Sequence, residues 1–307
     1  MVACFRRCYG DTYPSDDFYD SERLRQRIES GSLRSVVAIG DDGVLVGHTG
    51  LTVRHAGAKA IEAGNTVVDP AARGQGLLGQ MAAALTDLCL AHGYVGYVHY
   101  PTTAHEIMQK ASVRGGGVET GVMLDYIPAE TEYRAIDQGV GALAATVVYQ
   151  PFTPAPARDV WLPRDYLELA QELYGSARLV RTPQPANDRL KAHDTRAQRS
   201  FNARRGLLNV HVTAAGEDLE RAIEAAPSDG AIRITHVDLC MDDPGLGGAV
   251  ELLRRRGFFF CALLPEFAHT DVLRMQRLTH PTPTSYAPRL ANLGARRLLE
   301  WMRTESG

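Results

Sequence analysis

The sequence predicts an α/β (α+β) chain folded as two domains. Three observations lead there. Its 307 residues suffice for two domains of ordinary size, and its apolar and charged fractions of 45% and 22% are those of globular proteins. Short β-branched runs alternate with segments of helical period. Three prolines in Pro151-Phe152-Thr153-Pro154-Ala155-Pro156 then interrupt the pattern near the middle. The expected division is residues 1–150 and residues 151–307.

In the first half, Ser35-Val36-Val37-Ala38-Ile39-Gly40, the turn Asp41-Asp42-Gly43 and Val44-Leu45-Val46-Gly47-His48 read as a β-hairpin. Thr49 to Arg54 prolongs its second strand. Val67-Val68 ends a short apolar strand and Tyr94 to Tyr100 reads as another. Thr103 to Val113 then reads as a helix and Val118 to Tyr126 as a strand.

The most informative stretch is Val67-Val68-Asp69-Pro70-Ala71-Ala72-Arg73-Gly74-Gln75-Gly76-Leu77-Leu78-Gly79. It reads as a strand entering a glycine-rich turn that opens a helix with Leu77, Met81, Leu85 and Leu88 on one face. Such a junction presents unpaired backbone amides at the positive end of a helix dipole, where a phosphate can sit. Gly74 and Gly76 leave room for close approach, and Arg73 adds a positive charge. An ordinary strand–turn–helix connection has the same spacing.

These residues resemble the acyl-CoA-binding motif of the GNAT acyltransferase superfamily, Arg/Gln-x-x-Gly-x-Gly/Ala after a strand ending in Val-x-Pro. Arg73 and Gly76 fill its first two positions; Leu78 stands where Gly or Ala is preferred, and Gly79 follows one residue late. The order of elements over roughly residues 1–130 is similar to the family's. The resemblance implies mostly antiparallel central sheets flanked by helices and an acyl-CoA donor held by Val67, Val68, Arg73, Gly74, Gln75, Gly76, Leu77, Leu78 and Gly79. It also implies direct transfer to an amine, without a covalent enzyme intermediate.

Transfer to an amine needs a polarised carbonyl, a neutral nucleophile and a protonated leaving group. Glu62 lies near where some family members place a general base; it also reads as an exposed strand-edge carboxylate. The position where the family often carries an acidic Tyr is Ser112 here. The Asn often found seven residues earlier falls on His105, making it the substitute acid, with Tyr100 and His99 behind it. A His there also reads as a surface or capping residue.

The second half begins with a helix, Arg164 to Tyr174. Leu207 to Val212 reads as a strand, Glu217 to Ala225 as a helix and Ala231 to Leu239 as a strand. Gly245 to Arg256 is then helical, and Phe258 to Leu264 and Asp271 to Leu278 are strands. Ala291, Ala295, Leu298 and Met302 fall on one face of a terminal helix. Arg256-Gly257-Phe258-Phe259 resembles the end of a GNAT domain, but Ala214-Ala215-Gly216-Glu217-Asp218 lacks Arg and carries carboxylates. The half is therefore read as a degenerate second copy.

Residues 1–150 hold 12 Lys and Arg against 17 Asp and Glu, and residues 151–307 hold 21 against 19. The excess gathers in Arg178, Arg181, Arg189, Lys191, Arg196, Arg199, Arg204 and Arg205. These form either a solvated surface or a contact for a phosphate-rich partner. Cys4, Cys8, Cys89, Cys240 and Cys261 lack metal-ligand spacing, so no metal is expected, and Cys89 and Cys261 read as reduced core residues. No apolar run approaches a membrane span and Met1–Asp11 lacks a signal-peptide core, so a cytoplasmic chain is expected. The leading expectation is an N-acyltransferase using acyl-CoA and a small-molecule amine. A transferase drawing on a charged tRNA through the basic stretch, and a non-catalytic acyl-CoA sensor, are the alternatives.

Overall fold

The computed structural model describes residues 1–136, 142–224, 232–279 and 288–306. The first half contains α1 (Val2–Tyr9), α2 (Ser21–Glu29), β1 (Leu33–Ile39), β2 (Leu45–Thr52), β3 (Ala60–Val68), α3 (Leu77–Ala91), β4 (Gly96–His99), α4 (Ile107–Arg114), β5 (Val118–Ile127) and β6 (Leu143–Pro151). The second half contains β7 (Arg158–Leu162), α5 (Leu167–Ser176), β8 (Arg181–Pro185), β9 (Arg196–Asn202), β10 (Leu207–Ala214) and α6 (Leu219–Glu224). It ends with β11 (Ile234–Cys240), α7 (Leu246–Arg255), β12 (Phe259–Leu264), β13 (Val272–Leu278) and α8 (Leu293–Ser306).

The sheets expected in the two halves join edge to edge as one 11-stranded sheet, ordered β1-β2-β3-β4-β6-β5-β12-β13-β11-β10-β9. In the first half β2/β3 is antiparallel, β3/β4 parallel, and β4/β6 and β6/β5 antiparallel. The second half repeats this run: β9/β10 antiparallel, β10/β11 parallel, β11/β13 and β13/β12 antiparallel. A helix connects each parallel pair, as a parallel crossover requires.

The halves meet at Gly121 of β5 and Ala262 of β12. Gln276, wholly buried, bridges the seam: its Nε2 donates to the Val122 carbonyl at 3.0 Å and its Oε1 accepts from the Leu124 amide at 3.0 Å. Helix α8 covers the same region. The Glu119 carboxylate accepts from the Ala295 amide at 2.8 Å and from Asn292 at 2.9 Å, placing negative charge at the amino end of that helix. The main core, including Tyr166, Leu253, Phe260 and Leu298, lies between the sheet and α5, α7 and α8.

Several boundaries differ from the expectation. The helix expected from Thr103 starts at Ile107, because Thr103 instead bonds the Ala144 carbonyl through both its amide and its hydroxyl. The helix expected from Arg164 opens with a 3₁₀ turn over Arg164–Tyr166, and Ala291 precedes α8. Strands β6 to β9 were not expected. Ala225 and Ala231, at the expected ends of a helix and a strand, lie outside the described residues. Cys89 and Cys261 are core residues, with burial pushing the Cys89 thiol up to about 12. Among the described residues, no helix is long and apolar enough to cross a membrane.

Candidate active site

Asp69 ends β3 by accepting the Ala71 amide at 3.0 Å and pairing with Arg7, which turns the chain out of the sheet. Gly74 and Gly76 then adopt φ of 80° and 74°, the left-handed region where glycine is at ease. Among the described residues, no protein acceptor takes the amides of Gly74, Gln75, Gly76, Leu77 or Leu78. Among the described residues, a Cβ at Gly74, Gly76 or Gly79 would meet nothing within 4 Å, so the turn is open to them. The Gly79 amide is occupied, donating to the Gly76 carbonyl at 3.1 Å as α3 begins. Arg73 reaches back to the Val68 carbonyl at 3.3 Å and to the Arg134 carbonyl at 2.9 Å.

Strands β3 and β4 pair only from Ala60↔Gly96 to Ala63↔His99, while β3 continues to Val68. A bulge at Asn65, whose φ is 54°, coincides with this separation. The Asn65 carbonyl accepts Nδ1–H of His48 at 2.7 Å. The splay opens a cavity of ≈ 540 Å³ between α3 and α4, with Leu78, Thr66, His99, His105 and Ser112 on its walls. The corresponding turn of the second half is closed. Its Gly216 amide donates to Thr195 Oγ1 at 3.0 Å, a Cβ there would collide with the His193 backbone, and β10 stays paired with β11 from Leu207 to Val212.

Glu62 sits on β3 before the splay, and a second cavity of ≈ 710 Å³ lies on its other side. Glu62, Asn65, Tyr100, Tyr126 and Arg205 line both cavities. Glu62 is not the exposed strand-edge carboxylate that the sequence also allowed: its side chain is 14% exposed and β3 is paired on both sides of it. Arg54 grips it through Nε at 2.8 Å and Nη2 at 2.6 Å. Burial raises the Glu62 carboxyl, but the Arg54 guanidinium, with the charges of Arg274 and Arg205 behind it, outweighs burial and holds the group below its ordinary value.

His105 faces the first cavity two residues before α4, with its Nδ1 buried and without a partner among the described residues. Burial, then Arg73 and Arg289, pull its imidazole down, so it is neutral at pH 7. Ser112 cannot stand in for the family's Tyr, because its hydroxyl donates to the Met108 carbonyl at 2.6 Å. Two phenols that the sequence reading did not assign as first candidates also line the cavity. Tyr133 lies edge-on to His105 at 6.4 Å, and the burial-raised Tyr100 hydroxyl keeps its proton.

Across the second cavity stand His55, His211, His236, Asp238 and Arg274. The possible ligand atoms of His55, His211 and Asp238 lie within 4.8 Å of one another. Both Asp238 oxygens, however, are held by Arg274 at 2.7 and 2.8 Å, and that positive charge opposes a cation. The two imidazoles also lie face to face at 3.8 Å, so their lone pairs do not converge on one point. No sequence signal brings these residues together, since they come from a loop and from β10, β11 and β13.

Part of the basic stretch is absorbed by the protein. Arg181 is buried between Glu266 and Asp271, at 2.7 Å from each, Lys191 pairs with Asp243 at 2.8 Å, and Arg204 pairs with Asp16. Arg196 and Arg199 lie on the edge strand β9.

Residues 1–109 match the pattern of the Acetyltransferase (GNAT) family, a stretch that contains the glycine turn, α3 and β4. Among solved structures, the chain is similar to a GCN5-related N-acetyltransferase from Kribbella flavida, with 20% identity and a TM-score of 0.38 over 50% of this chain and 90% of that one. It is also similar to a GNAT superfamily phosphinothricin acetyltransferase from Sinorhizobium meliloti solved with acetyl-CoA. There the identity is 18% and the TM-score 0.38, over 50% of this chain and 80% of that one. No curated protein matches the chain.

Proposed function

We propose that this chain is an N-acyltransferase that moves an acyl group from acyl-CoA to the amine of a small molecule. The observation that carries the reading is the run of unclaimed amides from Gly74 to Leu78 at the head of α3, within the segment that matches the family. The donor's pyrophosphate lies on these amides and the dipole of α3. Its pantetheine arm follows β3 past Ala63, where no strand pairs on that side, and the thioester reaches the splay beside Glu62.

The amine nitrogen attacks the thioester carbon there; the C–N bond forms, the C–S bond breaks, the sulfur leaves with its electron pair, and the proton that the nitrogen sheds as the amide forms ends on that sulfur. Glu62, held anionic by Arg54, attracts the incoming ammonium and passes its proton to water. His105 offers the departing sulfur a hydrogen bond from its unpartnered nitrogen, and the thiol's ordinary pKa near ~8.5 makes full protonation a late event. Acyl-CoA is favoured over a charged tRNA because Arg181, Lys191 and Arg204 are spent on carboxylates of the protein itself.

Residues 151–307 act in this reading as a second copy of the unit in residues 1–150 that has lost its donor site. The repeated strand order and the closed Gly216 turn support it. Calorimetric titration with acetyl-CoA, joined to release of free thiol on adding primary amines, tests the proposal. One donor site per chain and amine-dependent thiol release are expected. A chain that binds no acetyl-CoA overturns the reading.

A further inference from the structure

We infer that the second cavity is the acceptor site, built by both halves of the chain, and that it takes a primary amine carrying an anionic group bound by Arg205. This rests on the acyltransferase reading above and adds the chemical class of the acceptor. The cavity joins the donor cavity along Glu62, Tyr100, Tyr126 and Arg205, so an acceptor in it presents its amine at the splay of β3 and β4.

Among the arginines of its wall, Arg199 is already engaged in an interaction within the protein, and the charge pairing of the others sets Arg205 apart. Arg54 is matched by Glu62, Arg274 by Asp238, Arg27 by Asp17 and Arg23 by Asp20. Arg205 lies over the Tyr126 ring at 4.2 Å and donates to the Tyr126 carbonyl at 2.8 Å. Among the described residues, no carboxylate comes within ion-pairing distance of it. A guanidinium keeps its charge at every physiological pH and presents donors in a fork that matches a carboxylate or phosphate.

The second, independent observation is His236. Its side chain is 1% exposed, its ring stacks parallel to Tyr126 at 6.1 Å, and neither ring nitrogen has a partner among the described residues. His211, 7% exposed, has an unpartnered Nδ1 on the same cavity. Buried polar atoms without partners are rare in folded proteins and call for an explanation. Burial pushes His236 down to about 3, so the ring is neutral and offers one N–H and one lone pair. Its natural complement has an anionic oxygen to accept and an N–H or O–H to donate. A carboxylate- or phosphate-bearing amine satisfies both, with its anion on Arg205 and its nitrogen toward the Glu62 carboxylate.

The test uses the full chain with acetyl-CoA as donor. Acceptors are L-amino acids against their amides, and phosphoethanolamine against ethanolamine. Wild type should favour the anionic member of at least one pair, and the favoured pair tells carboxylate from phosphate. Arg205→Gln should lose about tenfold or more in kcat/KM for the anionic amine while its neutral partner is little changed, and Arg205→Lys should restore part of the loss. Neutral and anionic amines used equally well, or Arg205→Gln with wild-type selectivity, overturns the inference. Titration of wild type with acetyl-CoA alone separates this result from failure of the donor reading: a chain that binds acetyl-CoA but ignores the anion refutes only the acceptor class.

Discussion

Gly121 of β5 and Ala262 of β12 face each other where the two halves of the sheet join, and a Cβ on Gly121 would collide with Ala262 and the Cys261 carbonyl. The seam closes because residue 121 has no side chain. Gly121→Ala should therefore destabilise the chain by about 1–3 kcal/mol through overpacking. Gly175→Ala, in α5 with nothing within 4 Å of the new methyl, should stabilise by about 0.5–1 kcal/mol. Urea unfolding of both variants checks the contrast, and a Gly121→Ala protein as stable as wild type would mean that the seam yields easily.

The same property of glycine serves binding at Gly76, where space is free but φ is 74°. A β-branched residue there costs about 1–2 kcal/mol in backbone strain and stands over the amides offered to the donor. Gly76→Val should weaken acetyl-CoA binding about tenfold or more, with circular dichroism unchanged. Gly79→Ala should matter far less, since the Gly79 amide already closes the first turn of α3. Equal affinities for the two variants would place the donor elsewhere.

The glycine turn was legible in the sequence because its determinants are local: a strand, left-handed glycines and an apolar helical face within one short stretch. Strand β6 was not. Leu143-Ala144-Ala145-Thr146-Val147-Val148-Tyr149 is buried on both faces, so it lacks the alternation that marks a half-exposed strand. The Arg54–Glu62 pair was within reach, because β2 and β3 align Thr52 with Glu62 and Arg54 lies just beyond. The wall of the second cavity was out of reach. His211, Asp238 and Arg274 become neighbours only through the pairing of β10 with β11 and of β11 with β13, a long-range register that no local pattern encodes.

Burial gives stability a defined acid limb. His48 is fully buried, donates from Nδ1 to the Asn65 carbonyl and accepts from Ser35 Oγ at 3.0 Å, and desolvation lowers it to about 4. Its folded value lies below the unfolded value near ~6.5, so the unfolded chain takes up the proton first. Stability is thus full above about pH 6.5 and lost as pH falls toward 4, by about 3 kcal/mol for this one group. His236 acts in the same direction. Unfolding midpoints measured from pH 7 to 5 should fall in wild type and fall less steeply in His48→Gln. Parallel curves would show that His48 is not the group responsible.

Glu62 and Arg54 make the remaining prediction about rate. Because the ion pair holds Glu62 below its ordinary value, the carboxylate stays charged throughout the range in which an amine titrates. The pH dependence of kcat/KM should then rise with the acceptor's own deprotonation and show no limb between pH 5 and 7 that belongs to Glu62. Glu62→Gln keeps the shape of the side chain and removes its charge, so the ammonium loses its attractor and the proton its first acceptor. Turnover should drop by about 10²-fold, the lower end of a general-base contribution, while the dissociation constant for acetyl-CoA stays within about twofold. A Glu62→Gln protein with wild-type kcat would remove Glu62 from the chemistry. A parallel loss of donor affinity would instead assign the residue to shaping the splay between β3 and β4.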